Sequence, residues 1–408
     1  MTLPTLAELE DAAAVLRDVI VKTPFDVSEH LTEVLGAPVY LKLENLQRTG
    51  SFKIRGATYR LSRLSAEERA RGVVAASAGN HAQGVALAAQ KLGIPATIFM
   101  PLGVPVPKLL ATRGYGAEVV LEGATVETPL RLAAEFAERT GAVMIHPYDH
   151  RDVIVGQGTL GLEVWDAVPD LDTVVVGIGG GGLIAGVAAA VKARAALEGR
   201  TVRVIGVQAE NSAAYPSSLA AGVPLTVDTT PTIADGIAVA RPGDVPFEVI
   251  SELVDEVVTV SDDDIARALL VLLERAKQVV EPAGAVGVAA ILAGKIIASG
   301  PTAVILSGGN IDPLLLQRVV AHGLAASGRY MTLQVPLPDR PGQLARVSEL
   351  LAIAGANVIE ALHTRHGQGL QISEVILQLS VETRGQEHRA HVISVLEEAG
   401  FRPRVAQD

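Results

Sequence analysis

The sequence predicts an α/β unit built on parallel sheets, followed by a smaller ferredoxin-like α+β domain, and three observations carry this. From residue 1 to about 322, short β-branched runs alternate with Ala-rich helical stretches, the rhythm of parallel strands covered by helices. Beyond about residue 330 the order becomes β-α-β-β-α-β in about 80 residues. The third observation is size: 408 residues exceed the roughly 250–300 that one hydrophobic core organises. The expected division is a two-lobed unit over 1–322, its small lobe at about 45–145 inserted in the larger one. A small, polar linker over 323–329 and a C-terminal domain over 330–408 complete it.

The elements follow in order. Leu6 to Val21 reads as a helix, opened by Thr5 and Glu8 in capping-box spacing. Val39 to Leu43 and Val73 to Ala76 read as strands, the second entering a turn at Ser77–Asn80 and then a helix from His81 to Leu92 that stops at Gly93. Ala96–Met100 and Glu118–Leu121 are strands flanking a helix near Pro107–Arg113, and a helix at Thr128–Thr140 ends at Gly141. Thr173–Ile178 (strand), Leu183–Leu197 (helix) and Arg203–Gln208 (strand) come next, then helices at Asp262–Glu274 and Ala283–Ala298 and a strand at Ala303–Leu306. In the tail, strands at Tyr330–Pro336, Asn357–Thr364, Leu370–Glu382 and Arg402–Val405 alternate with helices at Gly342–Ala354 and Glu387–Ala399. The two central strands of that set join near Gly367–Gly369.

Composition narrows the function. Hydrophobic residues at 49% and charged ones at 19% exclude a disordered chain. Aromatics at 3% and a net charge of −11 oppose nucleic acid as a partner. The absence of cysteine removes disulfides, thiolate metal sites and thiol catalysis together. The acidic N-terminus lacks a basic start before an apolar run, so no secretory signal is read there. Val174 to Val191 is uncharged and long enough to raise a membrane question, but its tetraglycine favours a strand, a turn and a helix. The expectation is a soluble, cytoplasmic protein with no membrane partner.

Four loops can carry chemistry. Gly179–Gly182 lies between an apolar strand and a helix, where bare N–H groups and the helix N-terminus converge on an anion, a phosphate cradle rather than a packing turn. Gly177-x-Gly179-x-x-Gly182 also fits a dinucleotide fingerprint, yet the acid that should bind a ribose arrives only at Glu210, at the end of the next strand, which weakens an oxidoreductase. In KLENLQRTGSFKIRG, Lys53 is crowded by Lys42, Arg48 and Arg55, which would lower its pKa and favour the nucleophilic amine; the alternative is a solvated basic loop. Ser77-Ala78-Gly79-Asn80-His81 offers free N–H groups for a carboxylate, and Asn80 either caps a helix or bonds a ring oxygen. Ser307-Gly308-Gly309-Asn310 is a further loop after a strand.

KLENLQRTGSFKIRGA, SAGNHAQGVA, GQGTLGLE, GIGGGGLIAG, VEPAGAVGVAA and LSGGN, in that order, resemble fold-type II pyridoxal-phosphate enzymes of the threonine dehydratase (threonine ammonia-lyase) and serine racemase group over about residues 5–320. The tail, with Asp339-Arg340-Pro341-Gly342 and Gly355-Ala356-Asn357, resembles an ACT regulatory domain. The resemblance implies two open parallel-sheet lobes with pyridoxal 5'-phosphate between them, joined to Lys53 as an aldimine. It further implies Phe52 against the ring, Asn80 on the ring 3-oxygen, and Gly179, Gly180, Gly181, Gly182 and Leu183 on the phosphate. Ser307 would meet the pyridine nitrogen, Glu281 would lie near the ring, and Ser77, Ala78, Gly79, Asn80 and His81 would hold the substrate carboxylate.

The implied reaction is β-elimination of L-threonine, and of L-serine, to a 2-oxo acid and ammonia, with Lys53 as the base at Cα. A serine racemase or serine dehydratase is the alternative of the same fold, and a catalytically silent amino-acid sensor the alternative of another class. Relatives that racemise serine hold a divalent cation after the strand ending in Glu210; here Glu210 and Ala214 match, but Pro216 replaces an expected acid, so no metal is assigned. An amino-acid effector, isoleucine or valine, would bind where two ACT copies pair, near Asp339, Arg340, Pro341, Gly342 and Asn357. Such relatives usually form homodimers or homotetramers. His363 and His366 would point to opposite faces of a strand, which speaks against a metal pair.

Overall fold

The β-branched runs form strands, and their pairing sorts the chain into three sheets. The computed structural model describes residues 3–125, 127–326, 328–365 and 373–406. Packing divides the chain into two units, Met1–Pro313 and Leu314–Asp408.

The first unit contains β1 (Phe25–Val27), β2 (Val39–Lys42), β3 (Val73–Ala76), β4 (Ala96–Met100), β5 (Glu118–Leu121), β6 (Val143–Met144), β7 (Thr173–Gly177), β8 (Arg203–Ala209), β9 (Glu256–Val260) and β10 (Thr302–Ile305). The larger sheet has the order β1-β2-β10-β7-β8-β9, parallel except for the β1–β2 pair. The smaller has the order β5-β4-β3-β6 and is wholly parallel. Thr173–Val176 of β7 are all buried, which is why this strand shows no polar alternation: helices cover both faces. The chain leaves β7 towards β8 on one side while β10 flanks it on the other, so a crevice opens at the carboxyl ends of β7 and β10.

Several helices are placed by tertiary contact more than by local pattern. Arg151–Ala167 contains Gly156, Gly158 and Gly161 and was not expected as a helix. A Cβ at Gly156 would lie 2.7 Å from Gly56 Cα and 2.9 Å from the Arg55 carbonyl. Gly158 meets the Gly186 carbonyl in the same way, so this helix crosses Lys53–Ser62 and Gly182–Leu197 at near-contact of backbones. The first helix ends at Leu16 rather than Val21, although its Thr5–Glu8 capping box forms as expected. Pro282–Leu292 stops short of Ala298, with Gly294 left-handed (φ +67°) just beyond it. Val174–Val191 is strand, turn and helix, and among the described residues no helix is long and apolar enough to cross a membrane.

The second unit begins with the helix Pro313–Ala326, followed by β11 (Tyr330–Pro338), β12 (Asn357–Thr364), β13 (Glu374–Glu382) and β14 (Arg404–Val405) in the antiparallel order β12-β13-β11-β14. Met331, Leu333, Val335 and Leu337 alternate inward against the helices Gln343–Ile353 and Gln386–Glu398. The stretch 323–329, expected as a linker, is helical through Ala326. Gly328 (φ +69°) and Arg329 return their N–H groups to the Ala325 and Leu324 carbonyls, closing that helix. The small-residue signal was that of a helix end. The expected hairpin near Gly367–Gly369, and His366, lie outside the described residues.

Candidate active site

The loop that leads from β2 to Lys53 folds onto the loop that leaves β10. Phe52 donates its N–H to the Ser307 carbonyl (3.1 Å), Gly309 donates to the Gly50 carbonyl (2.9 Å), and Ser51 bridges Gly308. Thr49 adopts a left-handed conformation (φ +63°), and its carbonyl accepts from Asn310 Nδ2 at 2.7 Å. Asn310 Nδ2 also reaches Asn80 Oδ1 (2.8 Å), and Asn80 Nδ2 donates to Glu281 Oε1 (2.6 Å). Glu281 closes the circle through its N–H to the Gly308 carbonyl (3.0 Å). Four separated motifs thus meet in one hydrogen-bonded ring.

Lys53 opens the helix Lys53–Ser62, with Nζ 5.2 Å from the centre of the Phe52 ring and donating to the Pro147 carbonyl at 3.0 Å. Burial pushes its pKa down to about 8, against the opposing pull of the Glu281 carboxylate. The expected cause, neighbouring cations, is corrected here. Arg55 and Lys42 turn away into a buried network, Arg55 Nε–Glu44 Oε2 2.8 Å, Arg55 Nη1–Glu163 Oε1 2.7 Å and Lys42 Nζ–Glu163 Oε2 2.6 Å. Their charges are neutralised by carboxylates there. Burial would depress the Arg55 pKa too, but Glu44 and Glu163 outweigh it and raise it.

The neighbours of Lys53 are set up to stay neutral or to titrate near neutrality. Burial, reinforced by the charge on Lys53, pushes His81 down to about 3. Its ring is therefore neutral, donating from Nε2 to the Ile145 carbonyl at 2.8 Å, and only its backbone is left to the Ser77–His81 turn. Burial, helped by Asp235, pushes Glu281 up to about 7 against Lys108, Asn80 and Lys53. His146 Nδ1 accepts from the Asp149 N–H (2.8 Å), and burial lowers its pKa.

Gly179–Gly182 closes β7 and starts the helix Gly182–Leu197, with Leu183 buried in the core below. Gly181 has φ +102°, and a side chain on it would collide with the Tyr215 hydroxyl. One on Gly180 would collide with the Tyr148 ring, which follows the Pro147 carbonyl that Lys53 touches. The cradle can only be backbone. Its first helical N–H groups have no partner within the helix. In the Lys53 loop, the buried hydroxyls of Thr49 and Ser51 have no protein partner. A bare-backbone anion cradle, a buried amine of lowered pKa and a serine at the end of β10 fit a phosphate-bearing aldehyde cofactor.

Sequence reasoning did not assign Tyr148, His146, Lys108 or Asp235 to this site. Nothing local in the sequence marks them. Glu210 opens a 3-10 turn after β8 and Ala214 begins the helix Ala214–Ala221. Among the described residues, no group of three acids or histidines is placed to hold a metal.

In the second unit, Asp339–Gly342 follows β11, with Asp339 paired to Arg365 Nε at 3.2 Å. Asn357 begins β12 and pairs with Glu382, beside Tyr330. The expected effector residues therefore sit at opposite ends of the sheet in one chain, about 26 Å apart by strand rise. A cavity of about 910 Å³ opens at the Asn357 end, lined by Tyr330, Asn357, Ile359, Glu382 and Arg384 among others.

Lys53 and the glycine turn after β7 both lie in connections at the carboxyl ends of strands, where parallel sheets bind ligands, and their chemistry fits a pyridoxal-phosphate enzyme. Residues 16–308 match the family model described as "Pyridoxal-phosphate dependent enzyme", and residues 331–401 match the ACT domain. The chain belongs to the pyridoxal-phosphate dependent enzyme family, of fold type II, and carries a C-terminal ACT domain. It is 46% identical to the L-threonine ammonia-lyase of Thermotoga maritima over 98% of this chain and 99% of that protein. The solved threonine deaminase isoform 2 of Solanum lycopersicum, in its processed form, superposes with a TM-score of 0.73 at 39% identity, covering 78% of this chain and 92% of that one. Maize serine racemase gives 0.73 at 36% identity, covering 80% and 99%.

Proposed function

We propose that this protein is an L-threonine ammonia-lyase that converts L-threonine to 2-oxobutanoate and ammonia, and L-serine to pyruvate and ammonia. The observation that carries this is the buried Lys53 amine, its pKa lowered to about 8, in a loop hydrogen-bonded to the Ser307–Asn310 loop and, through Asn310, to Asn80. The end-to-end likeness to an L-threonine ammonia-lyase supports it over the racemase alternative.

Pyridoxal phosphate, when bound, supplies an electron sink that makes the substrate Cα–H acidic. Gly179, Gly180, Gly181, Gly182 and Leu183 would hold the phosphate through backbone N–H groups, while Phe52 and Asn80 would orient the ring. Ser307 would offer the ring nitrogen a neutral hydroxyl. Glu281, tied to Asn80, keeps that amide oriented. The Ser77–His81 backbone binds the substrate carboxylate and turns Cα towards Lys53. Lys53 Nζ takes the Cα proton, the β-hydroxyl takes up a proton and leaves as water, and hydrolysis of the released unsaturated amine consumes one water in turn. The net change is threonine to 2-oxobutanoate plus ammonia, with atoms balanced.

The ACT domain binds an amino acid, isoleucine or valine, between Asp339–Gly342 of one copy and Asn357 of another in a homodimer or homotetramer. That control fits a cytoplasmic enzyme feeding isoleucine biosynthesis. Purified protein is expected to show the visible absorbance of bound cofactor and to release 2-oxo acid from threonine, and Lys53→Ala to lose both. A colourless protein that takes up no cofactor would remove the assignment. D-serine formation from L-serine without pyruvate would favour the racemase.

A further inference from the structure

The crevice holds two charged side chains that none of these roles uses. Lys108, in the helix Val106–Gly114 after β4, lies over the carboxylate turn: a Cβ on Gly79 would be 3.5 Å from its Nζ and 3.8 Å from its Cδ. Its side chain is 14% exposed, and its ion-pair partner is Asp235 Oδ2 at 3.9 Å. That is well beyond the roughly 2.7–2.9 Å of a charge-assisted hydrogen bond. Asp235 is 71% exposed and belongs to a short turn, Asp235–Ile237, that packs against the glycine cradle through Gly179. An ion pair so long and so wet contributes little. Lys108 and Asp235 both lie close enough to Glu281 to shift its carboxyl, in opposite directions.

We propose that Lys108 is the cation that recognises the α-carboxylate of the substrate, with Asp235 its partner before substrate binds. This rests on the assignment of the Ser77–His81 turn as the carboxylate site and names the charge that completes it. Gly79 has no side chain, so a carboxylate docked on its open face comes within reach of Lys108 Nζ. Backbone N–H groups at a helix start carry only partial charge. A full charge beside them offsets the desolvation of an incoming carboxylate. It also separates α-amino acids from amines and amino alcohols of the same shape. On binding, Lys108 exchanges a distant, solvated acid for a close one, so the exchange favours binding.

The test uses holoenzyme carrying Lys108→Gln or Lys108→Arg, with threonine turnover read as 2-oxobutanoate release. Binding of L-2-aminobutyrate, which has no β-hydroxyl to lose, and of L-threoninol, which has no carboxylate, is read from the cofactor absorbance. Lys108→Gln is expected to raise the threonine KM and the 2-aminobutyrate Kd about tenfold to a hundredfold, with a much smaller change in kcat. Threoninol binding should change less than about twofold, and Lys108→Arg should recover most of the loss. Equal weakening of both ligands, or an unchanged KM, overturns the role of Lys108. A wild-type protein that binds 2-aminobutyrate but releases no 2-oxobutanoate fails the proposed reaction instead, and leaves the binding comparison to judge Lys108.

Discussion

Lys53 joins its chemistry to a cost in stability. Its folded pKa of about 8 lies below the ordinary lysine value of 10.5, so between these pH values the unfolded chain binds more protons than the folded one. Stability of the cofactor-free protein should therefore rise across that window, while below pH 8 the folded state bears the whole cost of a buried charge. Lys53→Met is expected to shift the urea midpoint of the cofactor-free protein upward at pH 7, with the gain shrinking from pH 8 towards 10. A gain that stays constant with pH would show that Lys53 is not depressed. The same residue marks a limit of sequence reading. Three neighbouring cations are plain in KLENLQRTGSFKIRG, but Glu163, which with Glu44 neutralises two of them, is more than a hundred residues away. Gly181 belongs to a plainer signal, since a tetraglycine predicts the turn between strand and helix that forms there. Gly181→Ala, at φ +102° and against the Tyr215 hydroxyl, is expected to release cofactor on dialysis while the wild type retains it.

Elements with strong local signals were legible, and elements made by contact were not. The strands Ala96–Met100 and Glu118–Leu121 and the capping box at Thr5 fall where the pattern puts them. The helix Arg151–Ala167 was missed because three glycines lower its local propensity, and those glycines are what let it lie against two other helices. Between these helices sits the Lys42–Glu44–Arg55–Glu163 network. Removing one member leaves an uncompensated buried charge, so Glu44→Ala should cost about 3–5 kcal/mol in equilibrium unfolding. Arg131→Ala, which breaks only the exposed pair with Glu135, should change stability by less than about 0.5 kcal/mol. Equal effects would mean that the network is hydrated and worth no more than a surface pair.

For the whole molecule, the change of rhythm near residue 330 announced a second unit, but its first helix was hidden. Pro313–Ala326 follows the rest of the alternating pattern in sequence, yet packs with what comes after it. Calorimetry should resolve two transitions, with isoleucine or valine raising only the one that belongs to Leu314–Asp408. One shared transition that responds to neither amino acid would count against effector binding there. The strand β12 ends its sheet with almost every residue exposed, Ile359 and Leu362 among them. Leu362→Glu is expected to lower the mass seen by light scattering and to abolish any response to effector, while threonine turnover persists.

That bare strand has a consequence for life at low concentration. Its outer N–H and C=O groups are a template for any extended peptide, and apolar side chains make the template adhesive. Under the proposed pairing of ACT domains, a chain that meets its own copy late, during synthesis or after dilution, is open to misassembly first. Pairing of the ACT domains would then serve as protection of a sticky border as much as construction of a sensor.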